Sequence, residues 1–130
     1  MSRLTKLISL AALLVAPSMA TAAEVNVVSW GGAYTESQKL GYGDPYQEMS
    51  GVQVNWIDYS GGLSEIKAQV ESGAITWDII DVYARDTIIG CDEGLFVEFD
   101  FDNDFPAGVN GMKASDDFFA PMPSKCAVGN

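Results

Sequence analysis

The sequence predicts an α/β fold with a mainly parallel sheet flanked by helices. Three β-branched, apolar runs alternate with segments of helical periodicity over residues 24–94. Gly-Gly follows the first and second of these runs, and single glycines end the helical segments. Strands that alternate with helices form βαβ units, in which right-handed crossovers lay the helices against a parallel sheet.

The first strand is predicted over "EVNVVSW", residues 24–30, because apolar and polar side chains alternate there. A helix is predicted from near Ala33 to Gly51. Three residues interrupt this helix, namely Gly41, Gly43 and Pro45. We therefore expect a kink or a break in its middle.

A second strand is predicted over "VQVNWIDY", residues 52–59, and the clearest helix of the chain follows it. The apolar positions of this helix recur at spacings of three and four: Leu63, Ile66 and Val70. Ser64 is predicted to cap the start of the helix, and Gly73 to end it.

The third strand is predicted over "ITWDIIDVY", residues 75–83, which is apolar enough to be buried on both faces. The helix after it is expected to stop at Gly94, and "LFVEF" at 95–99 to be a short extended piece. Residues 100–124 are rich in Asp, Gly and Pro, which predicts an irregular surface excursion. "CAVGN" at 126–130 resembles the start of another strand.

Residues 1–23 have the pattern of a secretory signal peptide. Arg3 and Lys6 give it a positive start, an apolar stretch follows, and "ATA" at 20–22 fits a cleavage site. The apolar stretch is too short to serve as a stable membrane anchor. The predicted organisation is a signal peptide over 1–23 and one small exported domain over 24–130.

The chain is strongly acidic, with 18 acidic against 7 basic residues and a formal net charge of −11. Two of the bases lie in residues 1–23, which leaves 18 acidic against five basic residues, a net charge of −13, in residues 24–130. Such a surface repels phosphate backbones and anionic lipid, which argues against nucleic acid as a partner. It makes a cationic ligand electrostatically plausible.

The sequence contains two cysteines, Cys91 and Cys126, and no histidine. In an exported chain, two cysteines are expected to form one disulfide. The alternative is a pair of free, reactive thiols in a small redox or structural domain. No cofactor is predicted, and no metal site either, since a metal would need more ligands.

The candidate binding site lies in the loops that follow the three strands, because ligands of open parallel sheets bind beyond the carboxyl ends of the strands. An aromatic residue ends each predicted strand: Trp30, Tyr59 and Tyr83. Glycines after two of them let the backbone approach a ligand, and the rings can stack on it or attract a cation by about 0.5–2 kcal/mol. The alternative is that Gly-Gly makes a tight turn and the aromatics cap the core.

The motifs for phosphate binding, nucleophilic catalysis and calcium binding are each incomplete in this sequence. Neither Gly-Gly segment follows G-x-G-x-x-G or ends in Gly-Lys-Ser/Thr, which argues against a phosphate-binding loop. "GGLSEI" lacks the last glycine of the G-x-S-x-G nucleophile motif, and no His is present to act as the base. The acidic residues of "DFDND" at 100–104 suggest a calcium-binding loop of the EF-hand type. Phe105 stands at the sixth position, where such a loop needs Gly. A solvated acidic loop is the preferred interpretation.

Four segments together resemble the opening third of periplasmic substrate-binding proteins of ABC importers: "VVSWGGAY", "YSGGLSEIKAQVESGAITWDIIDV", "GCDEGLFVEFD" and "KCAVGN". More narrowly, they resemble the spermidine/putrescine-type branch of the bacterial extracellular solute-binding family 1. The resemblance covers most of residues 24–130. It implies the amino-terminal lobe of a longer, two-lobed α/β clamp. Such a clamp captures a small solute between its lobes and delivers it to a permease in the inner membrane.

The resemblance also implies which residues line the cleft: Trp30, Gly31, Gly32, Tyr34, Ser60, Gly61, Tyr83 and Arg85. It implies that Cys91 pairs with Cys126. A monomeric, non-catalytic protein of the periplasm is expected, with a polyamine such as putrescine or spermidine as its solute.

The residues themselves leave the charge of the solute open. Helix starts at Gly32 and Gly62 favour anionic groups by roughly 0.3–1 kcal/mol, whereas the aromatics favour a cation. Asp81, near the end of the third strand, is expected to face a ligand amine, and Asp78 to bond to a loop or helix-start amide. The alternatives to a polyamine are an amino acid, a sulfonate or another small anion. A fragment of a secreted α/β enzyme is the alternative of a different class.

Overall fold

The computed structural model describes residues 23–117 and 125–128. Within them the chain is a mixed α/β structure, in which a parallel three-stranded sheet is flanked by helices, and the predicted fold class is confirmed. None of the helices in these two ranges has the length and apolar character needed to span a membrane. The predicted signal peptide, apart from Ala23, lies outside the described residues.

The first half of the fold consists of strand β1 (Glu24–Ser29), helix α1 (Gly32–Gln38), a π-helical segment (Lys39–Gly43), helix α2 (Asp44–Ser50) and strand β2 (Gln53–Asp58). The expected interruption of the first helix is therefore the π-helical segment, in which a wider turn joins α1 to α2 without ending the helix. Gly43 is required there, because a Cβ at this position would lie 2.6 Å from Cζ2 of Trp56 on β2.

The second half consists of helix α3 (Ser64–Ser72), strand β3 (Ile79–Ile80) and helices α4 (Ala84–Asp92), α5 (Phe101–Asp104) and α6 (Ala114–Asp117). Gly73 ends α3 in the left-handed conformation, as predicted, with φ of 67°. The prediction that Ser64 caps α3 is wrong. Ser64 is the first helical residue, Leu63 occupies the cap position, and no side chain forms a capping hydrogen bond.

The strand order is β2-β1-β3, with β1 in the centre and both pairings parallel. The β1–β2 connection runs to one side of β1, and the β2–β3 connection passes back across β1 to the other side. Right-handed crossovers then place α1–α2 and α3 on opposite faces of the sheet. The chain leaves the carboxyl end of β1 toward β2 and away from β3, so the switch point of this strand order lies at the carboxyl ends of β1 and β3, which is the position where open α/β sheets bind ligands.

The third strand differs from its prediction, because it contains two residues and is not buried on both faces. Ile75 and Ile79 are 62% and 56% exposed. One cause is Asp78, whose Oδ2 accepts the hydrogen bond of the Asn26 backbone N–H at 2.8 Å. A side chain thereby replaces a strand carbonyl at the start of the β1–β3 ladder. The other cause is position, since β3 is an edge strand among the described residues.

The segment after α4 contains no strand among its described residues. Residues 95–99 and the described residues of "CAVGN" have no strand assignment, although Phe99 N donates to Lys125 O at 2.9 Å. The acidic excursion contains the short helices α5 and α6. Asp102 joins them, because its carboxylate accepts from Ser115 N and from Lys113 Nζ.

Candidate functional site

Four aromatic side chains from separate parts of the chain form one cluster, and three of them follow strands at the carboxyl edge of the sheet. The ring centroids of Trp30 and Tyr83 are 4.7 Å apart, and those of Trp30 and Tyr59 are 5.6 Å apart. Trp77 makes an edge contact with Tyr59 at 5.5 Å. We call these four residues the aromatic cluster. Contacts of this kind contribute about 0.5–1.5 kcal/mol each beyond the area they bury.

Strand register brings the first two rings together. Ser29 is paired with Asp58, so the next residues of β1 and β2, Trp30 and Tyr59, leave the sheet side by side. Tyr59 N donates to Ser29 O at 2.9 Å and extends this pairing by one bond. Tyr83 comes from the other side of β1, because β3 pairs with β1 through Val28.

Gly61 lies directly against the cluster. A Cβ at this position would be 3.2 Å from Cζ3 of Trp30 and 3.6 Å from Cε2 of Tyr83. Its φ of 98° also disfavours any side chain. The loop that follows β2 therefore contacts the residues that follow β1 and β3, and the three predicted loops meet at one place.

Arg85 lies beside the cluster at the start of α4. Its guanidinium carbon is 5.4 Å from the centroid of the Tyr83 ring, and its side chain is 78% exposed. Tyr83, Ala84 and Arg85 line a shallow, open depression of the surface. The depression thus combines an aromatic face with a positive charge.

The remaining predicted site residues lie around this centre. Gly31 N donates to Thr35 Oγ1 at 2.8 Å, so this amide is used within α1. Gly32 and Ser60 are exposed in the first and second loops. Tyr34 is 41% exposed on the first turn of α1. None of these positions excludes contact with a solute, and their role in binding stays a prediction.

A buried polar chain lies beneath α1. Ser29 Oγ donates to Gln38 Oε1, and Gln38 Nε2 donates to Asp81 Oδ2 at 2.9 Å. Ser29 is fully buried and Gln38 is 5% exposed. Asp81 was expected to face a ligand amine, but in the structure it anchors α1 to β3. Asp78 bonds to an amide of β1, instead of a loop or helix-start amide.

Two tyrosines near the sheet edge hold their protons more tightly than usual. Burial raises the pKa of Tyr59 above its ordinary value, and the nearby carboxylates Asp86 and Glu65 add to the effect. Tyr59 also donates its hydroxyl hydrogen to Gly62 O. Burial likewise raises the pKa of Tyr42, with Asp81 as the next cause. Both phenols are therefore neutral hydrogen-bond donors at neutral pH.

The two cysteines form a disulfide between α4 and the described segment 125–128, with Cα atoms 5.8 Å apart. This agrees with the predicted pairing. Within the described ranges, one group of acidic and sulfur side chains is compact enough to hold a metal ion: Cys91, Glu98 and Cys126. The disulfide occupies both sulfur atoms, so this group retains a single carboxylate donor.

Sequence reasoning missed two parts of this arrangement. Trp77 precedes β3, whereas the search for site residues considered positions that follow strands. Gln38 lies on a helix that is polar along most of its length, and no pattern indicates that this amide is buried between Ser29 and Asp81. Both contacts depend on packing across the sheet.

No family model matches the chain. The γ-aminobutyric acid-binding protein of Pseudomonas aeruginosa is 36% identical over 85 residues, which is 65% of this chain. The chain spans about a quarter of the length of this curated relative, since the match covers 24% of it.

Two solved structures have the same fold over the matched part. One is the periplasmic binding protein AgtB of A. tumefaciens R10 in complex with agropinic acid, with a TM-score of 0.57 and 33% identity over 63% of this chain and 26% of that one. The other is an ABC transporter substrate-binding protein of Bradyrhizobium japonicum USDA 110, with a TM-score of 0.58 and 33% identity over 61% and 24%. All three of these proteins are named as binding proteins, and one of them as the substrate-binding protein of an ABC transporter.

Proposed function

We propose that this chain is part of the solute-binding component of an ABC importer. The observation that carries the proposal is the meeting of three strand-end loops at one aromatic cluster, at the switch point between β1 and β3. The names of the relatives support it. In the proposed organisation, residues 1–23 direct export to the periplasm, and residues 24–130 form an amino-terminal lobe that acts as a monomer with an inner-membrane permease.

The proposed role of the site is capture without catalysis. The aromatic cluster provides flat, half-buried apolar walls, and the open space at Gly62, where a Cβ would have nothing within 4 Å, leaves room for a solute to approach the backbone. The chain has no histidine to act as the base of a nucleophilic serine. The relatives of this chain are named as binding proteins, which supports a non-enzymatic role.

Among solutes, we infer an amino acid or a related carboxylate in preference to the polyamine that the narrower family resemblance implies. One relative is named for γ-aminobutyric acid, and one structural neighbour contains agropinic acid. The charge beside the aromatic cluster points the same way. Arg85 would repel a second cationic group brought close to Tyr83 and attract a carboxylate. The amino-acid alternative of the sequence analysis therefore has better support than putrescine or spermidine.

Isothermal titration calorimetry of the full chain tests this proposal. The panel consists of γ-aminobutyrate, agropinate, putrescine, spermidine and a small sulfonate. We expect saturable binding of at least one carboxylate, and weaker binding in Tyr83→Ala. Tyr46→Ala is the matched control, since Tyr46 on α2 is 45% exposed against 53% for Tyr83. Selective binding of the polyamines would overturn the amino-acid assignment, and equal loss in both variants would overturn the site.

A further inference from the structure

Arg85 differs from the other cations of the described chain in how its charge is used. Each lysine in the described ranges forms an ion pair with a carboxylate, at 2.5–3.1 Å: Lys39, Lys67, Lys113 and Lys125. Arg85 contacts Asp86 through Nε at the longer distance of 3.4 Å. This contact involves Nε, so the two terminal nitrogens at the outer edge of the guanidinium remain available to bind a ligand.

A guanidinium edge suits one partner in particular. Its parallel N–H groups match the two oxygens of a carboxylate, and such bidentate pairs are stronger and more directional than those of an ammonium. Arg85 is held over the Tyr83 ring, so part of its flexibility is already lost before a ligand arrives. Asp86 is 8% exposed, and its Oδ1 meets the guanidinium at Nε.

The same charge restricts where a positive group of the solute can lie. An α-amino acid that paired with Arg85 would bring its ammonium close to the guanidinium, where like charges repel. Arg85 contacts the Tyr83 ring, and the Trp30 ring is the next neighbour of Tyr83, with the two ring centroids 4.7 Å apart. Tryptophan is the best aromatic partner for an ammonium group. A cation therefore reaches a favourable position only if methylene groups separate it from the carboxylate.

On the basis of the function proposed above, we propose that Arg85 is the carboxylate anchor of the site and that it selects ω-amino carboxylates over α-amino acids and diamines. The carboxylate lies on the guanidinium edge, the methylene chain crosses Tyr83, and the ammonium lies on the Trp30 face. No covalent step is involved.

Calorimetry of the full chain with glycine, β-alanine, γ-aminobutyrate, 5-aminovalerate, butyrate and putrescine tests the proposal. Wild type should bind γ-aminobutyrate or 5-aminovalerate at least tenfold more tightly than glycine. Arg85→Gln should weaken this binding roughly tenfold or more and leave putrescine binding unchanged or stronger. Arg85→Lys should lie between the two, since a lysine keeps the charge but loses the bidentate geometry.

Lys113→Gln is the matched control, because it removes the same charge from a side chain that is 71% exposed in the α5–α6 segment. It should bind the ω-amino carboxylates as wild type does, and circular dichroism should show all variants folded. Glycine binding as tightly as γ-aminobutyrate, or an Arg85→Gln variant indistinguishable from Lys113→Gln, would overturn the anchor while leaving solute binding intact. A wild-type chain that bound none of the panel would overturn both this inference and the proposed function.

Discussion

Trp30 and Tyr83 leave two neighbouring strands of the sheet at the same edge, and their rings touch with centroids 4.7 Å apart. This contact lies at the switch point between β1 and β3, which is the general position of ligand crevices in open α/β sheets. Gly61, from the loop that follows β2, contacts both rings. Changes in any of the three loops are therefore expected to alter the aromatic cluster before they alter the sheet.

The first prediction separates crowding from backbone strain in the second loop. Gly61→Ala and Gly62→Ala both place a side chain at positive φ, 98° and 94°, and each should lose roughly 1–2 kcal/mol of unfolding free energy. Only the Cβ at position 61 meets the rings of Trp30 and Tyr83; a Cβ at 62 has nothing within 4 Å. We expect Gly61→Ala to lose about 1 kcal/mol more.

Chemical denaturation measures both values, and the near-ultraviolet circular dichroism of the aromatic rings provides a second readout. The aromatic signal should change in Gly61→Ala and stay close to wild type in Gly62→Ala. Equal destabilisation with unchanged aromatic spectra would show that position 61 does not contact the cluster in solution.

The sequence predicted the strand–helix alternation because the signals involved are local. Apolar periodicity and glycine positions fixed the start of β1, the extent of α3 and its end at Gly73. The sequence overestimated the length and burial of β3. An apolar run does not reveal whether another strand lies beside it, or whether a side chain such as Asp78 replaces a carbonyl of the strand ladder.

The site could be predicted in outline for a geometric reason. Parallel strands end at one edge of the sheet, so aromatics that follow β1, β2 and β3 must emerge near one another. Contacts made by side chains that lie before strands or beneath helices depend on the packing of distant segments. Trp77 and Gln38 belong to this class, and a single sequence carries no periodic signal for either.

The second prediction concerns the buried chain beneath α1. Gln38→Leu removes the hydrogen bonds to both Ser29 and Asp81, and leaves a buried hydroxyl and a half-buried carboxylate without that partner. The expected loss is about 1–3 kcal/mol of unfolding free energy. Gln53→Leu is the control, since Gln53 is exposed and bonds to Asn55 within β2. It should stay within about 0.5 kcal/mol of wild type. A Gln38→Leu variant as stable as this control would contradict the role of the chain.

The third prediction is a pH dependence at alkaline pH. Burial, assisted by Asp86 and Glu65, raises the pKa of Tyr59 in the folded state above its ordinary value of 10.0. The folded state therefore holds the phenol proton more tightly than the unfolded state does. The resulting stability is fully present below pH 10 and is lost as the pH rises from there through the folded pKa.

Tyr59→Phe removes this titration and the hydrogen bond to Gly62 O. Denaturation midpoints measured between pH 8 and pH 11 should fall less steeply in Tyr59→Phe than in wild type. Tyr46→Phe, for which the hydroxyl lies on exposed α2, should follow the wild-type curve. Parallel curves for all three proteins would mean that Tyr59 titrates equally in the folded and unfolded states.

The fourth prediction concerns the tether between α4 and residues 125–128. The Cys91–Cys126 disulfide joins residues 35 positions apart. Restricting a loop of this length in the unfolded chain is worth about 4 kcal/mol on the chain-entropy account. The double variant Cys91→Ser/Cys126→Ser should lose stability of this order, measured by denaturation. Lys125 also pairs with Glu98 at 2.5 Å, but both side chains are more than half exposed, so Glu98→Gln should cost less than about 1 kcal/mol.

The aromatic cluster belongs to the other end of α4, near Tyr83, so its near-ultraviolet spectrum should survive the loss of the disulfide under native conditions. A spectrum lost together with the disulfide would mean that the tether, and not the strand register, holds the three loops together.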